Sequence, residues 1–115
     1  PANYDGWAAL GNERWAWEDV LPYFKKAQNQ ERGECEYHAV DGPINVADLR
    51  DPSPISVSFV DACEEQGLPL NDDFNGETQE GFGLYQVTQK GGERWSAARA
   101  YVEPARGRRG PRRPC

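Results

Sequence analysis

The sequence holds no methionine, two isoleucines, one histidine and three cysteines, and each scarcity removes a class of protein. Cys35, Cys63 and Cys115 have no Cys-x-x-Cys spacing, and His38 alone completes no ligand set with them, which excludes a structural zinc site. An odd, sparse cysteine count fits a reducing compartment better than a disulfide framework, so a cytoplasmic setting is expected. Cys63 falls within an apolar helical pattern and reads as an inert core thiol. No apolar run approaches the ~18 residues of a membrane span, and none resembles a secretory signal. A chain that begins at Pro1 and has no methionine agrees with a piece cut from a longer protein.

Branched apolar side chains are also scarce. Leu, Ile, Val and Phe together supply 19 of the 115 residues, against a net charge of −6. A share below about 20% with high net charge signals weak independent folding. Four Trp and five Tyr offset part of that deficit, because each can bury a large area. The length allows one domain at most. All 19 acidic residues precede position 106, whereas Arg106, Arg108, Arg109, Arg112 and Arg113 follow Ala105. An acidic body repels phosphate, so nucleic acid is not an expected partner. The arginine-rich end has the composition of a basic arm.

In chain order, Pro1 to Gly11 reads as a short helix capped by Asn3 or Asp5 and ended by Gly11. Trp17, Val20, Leu21, Phe24 and Ala27 then recur at helical spacing. Glu18 and Asp19 stand near the start of that helix and Lys25 and Lys26 near its end, as the helix dipole favours. Pro22 is tolerable if it falls in or near the first turn. Trp15 and Trp17 admit two readings, a shelf for a sugar or quaternary ammonium group or plain packing, which is preferred. Gln28 to Tyr37 is polar and expected to be exposed, and Ile44 to Val46 is a short strand after a turn. His38 is either a general base or a cofactor-attachment residue, or a turn histidine bonded locally, the preferred reading. Ser53 caps a helix over Pro54 to Gln66, with Gly67 just past it and Ile55, Phe59, Val60 and Cys63 facing inward.

Residues 71 to 102 are the most organised stretch. Asp72, Asp73, Asn75 and Gly76 suit tight turns. Leu84 to Thr88 alternates as a strand would, Leu84, Gln86 and Thr88 on one face and Tyr85 and Val87 on the other. Gly91-Gly92 marks a reversal, Ser96 caps a helix from Ala97 to Val102, and Pro104 is expected to stop it. Four blocks in this order and spacing carry a family resemblance: Asp73-Phe74-Asn75-Gly76, Gln79-Glu80-Gly81-Phe82-Gly83, Tyr85-Gln86-Val87-Thr88, and Gly92-Glu93-Arg94-Trp95-Ser96-Ala97-Ala98-Arg99-Ala100-Tyr101. Together they resemble the glucose–methanol–choline (GMC) family of flavin-dependent alcohol oxidoreductases, in its choline-dehydrogenase-like branch. The likeness covers about residues 1–105, and Asp5 matches the last specified position of the family's first signature block.

The resemblance implies an α+β fold, with short helices and a few short strands, spanning the junction of the FAD-binding and substrate domains. It implies a parent that oxidises the CH–OH group of a small-molecule alcohol with FAD as cofactor. The parent's remaining FAD-binding and substrate domains are then the partners of this chain, and membrane association of the parent stays open. The working parts are expected to lie elsewhere. The pyrophosphate cradle Gly-x-Gly-x-x-Gly between strand and helix is missing, because Gly76 to Gly83 has the wrong spacing and follows no strand. The family's catalytic histidine has no counterpart here. Carrying the family's catalytic residues over therefore yields none, no cofactor-binding residue can be named, and no metal ligand set is present.

Other chemistries read weakly. Asp72 with Asp73, or Glu77 with Glu80, could pair as glycosidase carboxylates, but adjacent carboxylates in a Gly/Asn loop read as turn residues. Ser96 has no histidine partner, and the Asp72–Asn75 loop lacks the Glu of a calcium loop. Arg94 is either a buried pairing residue or a solvated one. After Ala105 the family pattern calls for Arg-Pro-Asn-Leu and a strand, whereas residues 106–115 form an Arg/Pro/Gly-rich tail expected to be disordered and to follow a frameshift near Arg106. The alternative to a fragment is a free-standing, non-catalytic binding module that kept the scaffold.

Overall fold

The computed structural model describes residues 1–108. It contains α1 (Ala2–Ala9), α2 (Trp17–Ala27), β1 (Gln28–Gln30), β2 (Ile44–Val46), α3 (Pro54–Glu65), β3 (Gln89–Lys90) and β4 (Glu93–Arg94). A five-residue π-helical stretch, Ala98–Val102, then runs into α4 (Glu103–Ala105). Short helices joined by long loops to a few short strands is the α+β arrangement that the sequence implies.

Asp5 does not cap α1. It lies inside that helix, and its Oδ1 accepts the N–H of Trp17 at 2.9 Å, so it satisfies the free first donor of α2 instead. Gly11, with φ of +94°, sits just beyond α1 as expected. Pro22 falls in the second turn of α2 rather than near its first. Packing holds the two helices together there: Tyr4 meets Trp7, Trp17 and Phe24, with ring centroids 5.2, 5.7 and 5.8 Å away.

The polar stretch after α2 is the first departure from expectation. Gln28–Gln30 is a strand, paired in parallel with Ile44–Val46, and Gln30 is only 4% exposed. The hydrophobic pattern hides this strand because amide side chains, rather than apolar ones, line it. Asn29 Nδ2 donates to Asn45 Oδ1 at 2.7 Å across the pair. Gly42 lets the returning chain cross β1, donating its N–H to the Gln28 carbonyl at 2.9 Å. A Cβ at that position would stand 2.3 Å from the same oxygen.

Two further expectations need correction. Leu84 to Thr88 is not a strand, since only Val87 is bridged, exchanging both backbone hydrogen bonds with Ala47. The strand starts later, at Gln89, and turns through Gly91-Gly92 into β4, with Lys90 opposite Glu93. Both glycines have positive φ, +61° and +81°, as a tight hairpin turn requires. Pro104 does not stop the last helix but lies within α4. A proline has no N–H for the carbonyl four residues back and crowds it; the wider π turn just before, in which Glu103 donates to the Ala98 carbonyl, gives the room.

The buried apolar residues are Ala47, Cys63 and Ala100, all small. Of the four residues expected to face inward on α3, Cys63 is buried and Val60 half-buried, whereas Ile55 is 78% and Phe59 62% exposed. The radius of gyration is 18.4 Å, against about 13 Å for a compact chain of this length. No helix among the described residues is long and apolar enough to cross a membrane. The expected disorder of the tail falls on residues 109–115, outside the described residues, except at Arg106, Gly107 and Arg108. There the chain continues in turns, with Arg106 N–H bonded to the Val102 carbonyl.

Candidate functional site

The densest chemistry lies where β1, the loop after β2, the Asp72–Asp73 turn and Gln86 meet. Gln30 and Gln86 form a reciprocal amide pair, Nε2 to Oε1 at 2.7 and 3.0 Å. Gln86 Nε2 also donates to Asp48 Oδ1 at 2.8 Å. Arg32 grips the same carboxylate with two nitrogens, at 2.9 and 3.1 Å, and donates Nη1 to the Asp72 carbonyl at 2.6 Å. The hydrogen bond from Arg32, with its charge, holds the Asp48 carboxyl below the usual carboxylate range, and Asp48 in return raises Arg32. One connected polar clasp thus ties together four segments far apart in the sequence.

His38 extends the clasp. It is buried, Nδ1 lies 3.0 Å from Gln28 Oε1, and Nε2 lies 2.7 Å from Asp73 Oδ2. The expected turn histidine is therefore structural, but its partners are not local: one is 35 residues away. Both ring nitrogens are thus engaged within the fold. Asp73 is equally committed, accepting the Asn75 N–H on Oδ1 at 3.0 Å while its own N–H donates to Asn71 Oδ1 at 2.8 Å. Asn71 itself donates to the Thr78 and Glu80 carbonyls and so fixes the loop that carries Glu77 and Glu80. Asp73 is thus tied into the 71–75 turn, and Glu77 and Glu80 lie exposed on the loop that follows it.

The remaining candidates are structural as well. Trp15 packs edge-on against Trp7 at 5.9 Å, and Trp17 lies in the Tyr4 cluster, so the two do not form a shelf. Ser96 Oγ accepts the Arg99 N–H at 3.4 Å, a long cap at the expected position. Arg94 is exposed, and among the described residues it forms no ion pair; Arg99 pairs with Glu93 instead and is raised by it. Trp95 donates its indole N–H to the Pro43 carbonyl at 2.8 Å, with Lys90 Nζ 5.1 Å from its ring centre. Gln30, Arg32, Asp48 and Gln86, the centre of the clasp, escaped the sequence reading; the alternation set Gln86 on one face with Leu84 and Thr88 and gave it no partner.

Beside the clasp is an open apolar groove of about 550 Å³ between α3 and the 83–87 segment. Leu49, Ile55, Phe59, Val60, Leu84 and Tyr85 line it. The described residues do not fit FAD. The parallel pair β1–β2 is joined by a loop with no helix, and no glycine-rich turn leads from a strand into a helix N-terminus. What the site can do is hold segments in register and present an apolar face to something else.

Short helices and strands held by a polar clasp, with much apolar surface left exposed, make an α+β scaffold without a large core of its own. The chain belongs to the GMC oxidoreductase family, whose N-terminal family model matches residues 1–112. It is 46% identical over 101 residues to the alcohol dehydrogenase [acceptor] of Pseudomonas putida, covering 87% of this chain and 18% of that protein. It is 44% identical over 103 residues to the oxygen-dependent choline dehydrogenase of Sinorhizobium fredii, covering 90% and 19%. The crystal structure of pyridoxine 4-oxidase from Mesorbium loti superimposes with a TM-score of 0.84 at 27% identity, covering 95% of this chain and 22% of that one. The chain thus spans about a fifth of the length of the relatives it matches.

Proposed function

We propose that the chain is the supporting segment of an FAD-dependent oxidoreductase that acts on the CH–OH group of an alcohol, choline or a similar primary alcohol. By itself it is inactive. The observation that carries this reading is identity above 40% across about nine-tenths of the chain to a choline dehydrogenase. Its partners are the parent's remaining FAD-binding and substrate domains, which hold the flavin and supply the catalytic base. The odd, sparse cysteine count supports a cytoplasmic setting. This reading takes residues 1–105 as the family's part, although the family model's match runs on to residue 112, and takes the tail after Ala105 as a shifted reading frame; sequencing the locus through Arg106 with the frame intact would reject the shift.

The open groove and unfilled apolar faces favour a segment of a larger protein over a free-standing module. The test is a chimaera in which this chain's family part replaces the matching segment of the Pseudomonas putida alcohol dehydrogenase. It should retain flavin and pass electrons from an alcohol to a dye, while the isolated chain is colourless and inert. A soluble chimaera without flavin, or an isolated chain that turns over alcohol, contradicts the reading.

A further inference from the structure

The chain has six asparagines, and one of them, Asn75, is followed by glycine. A glycine carries no Cβ to shield its nitrogen, so that nitrogen can reach the side-chain carbonyl of the residue before it. The structure restrains the other five. Asn3 lies inside α1, Asn29 and Asn45 are in the paired strands β1 and β2, and Asn71 is buried. Asn12 is exposed outside regular structure, but its Nδ2 donates to the Trp7 carbonyl at 3.0 Å and Glu13 follows it. Asn75 stands exposed in a turn, and among the described residues only its backbone N–H is bonded, leaving the carboxamide free.

That turn is wrapped around Asp73. Asp73 Oδ1 accepts the Asn75 N–H, its backbone carbonyl accepts the Gly76 N–H at 3.2 Å, and its Oδ2 holds the buried His38. A Cβ on Gly76 would stand 2.8 Å from the same Oδ2. The Asn75–Gly76 peptide therefore lies against the carboxylate that anchors the histidine, and an added backbone atom there must displace it.

We infer that Asn75 is a self-modification site, converted to aspartate and isoaspartate by its own chain, and that conversion to isoaspartate detaches Asp73 from His38. When the long hydrogen bond from Gly76 to Asp73 opens, a base takes the Gly76 amide proton and the nitrogen attacks Asn75 Cγ. The new C–N bond closes a succinimide ring; the bond to Nδ2 breaks, and Nδ2 takes up a proton and leaves as ammonia. One water then opens the ring at either carbonyl. Attack at Cγ gives aspartate on the normal backbone, whereas attack at the backbone carbonyl gives isoaspartate, whose main chain is one methylene longer. The sum is one water consumed and one ammonia released, with no change of oxidation state. Both products add a carboxylate beside Asp72, Asp73 and Glu77, where like charges repel. Only isoaspartate also lengthens the turn. Nothing in this chemistry depends on the parent's reaction.

The 115-residue chain is held at neutral pH and sampled over days. Fragment-ion mass spectrometry locates each replacement of NH by O, and methylation by an isoaspartyl methyltransferase counts isoaspartate. Conversion at Asn75 at least about tenfold faster than at Asn12 is the expected result, because only Asn75 precedes an unshielded nitrogen. His38 is the one histidine, so its imidazole gives a single set of proton resonances, and a second set should grow in step with isoaspartate. Asn75→Gln, whose longer side chain closes a ring far more slowly, should keep its mass and its single His38 signal. Equal rates at Asn75 and Asn12 overturn the inference, and so does a His38 signal unmoved after isoaspartate has formed at position 75.

Discussion

At the scale of single residues, the clasp is held by polar groups with no spare capacity. Gln30 is buried and depends on Gln86, so Gln86→Ala should strand its amide and lower stability by about 1–3 kcal/mol. Thermal melting of the chimaera checks this, and an unchanged melting temperature would remove the pair from the account. Asp48 gives a pH signature. Because Arg32 depresses its carboxyl in the folded chain, its contribution is complete above the ordinary carboxylate value of about 3.9 and fades as the pH falls through the lower folded value. The pair is about half exposed, so Asp48→Asn should cost no more than about 1 kcal/mol at neutral pH from the ion pair, with the difference shrinking as the carboxyl is protonated in acid. Gly83→Ala should disrupt the turn against Asn71, because the obstacle is a backbone oxygen that cannot swing aside. Little of this was legible in the sequence. The glutamines lie 56 residues apart, and two amides meeting across that distance leave no local pattern. The single histidine was legible as structural, but its Asp73 partner was not.

At the scale of elements, sequence and structure agree where local chemistry decides. The Gly91-Gly92 turn, the strand at Ile44–Val46, Ser96 ahead of its helix and Gly11 after α1 stand where turn and cap preferences put them, and Ser53 holds the N-cap position of α3 without a side-chain cap bond. They disagree where a partner decides. Residues 84–88 have strand alternation but only Val87 is bridged, and α3 has an apolar stripe of which Ile55 and Phe59 stay exposed. Gln28–Gln30 is the converse, a strand formed by pairing with β2 in the absence of any apolar signal. Pro104 shows a third case, a helix breaker accommodated by a wider turn before it. A peptide covering 53–67 should be less than about a fifth helical by circular dichroism, because α3 has no intrinsic reason to persist. Strong helicity in that peptide would show that α3 needs no cover.

At the scale of the whole molecule, the missing quantity is a core. The buried apolar residues are all small, while Trp7, Leu10, Ile55, Phe59 and Tyr85 remain largely exposed. The accessible surface of 9360 Å² compares with about 6,300 Å² for a compact monomer of 12.9 kDa. The scarcity of branched apolar residues had already indicated this deficit, and membership in a family of chains about five times longer explains it. The most direct test is calorimetry on the purified 115-residue chain. The account predicts a broad, weak transition without a cooperative heat peak. A single sharp transition absorbing about 70–80 kcal/mol, the enthalpy expected of an ordinary domain of this size, would contradict it.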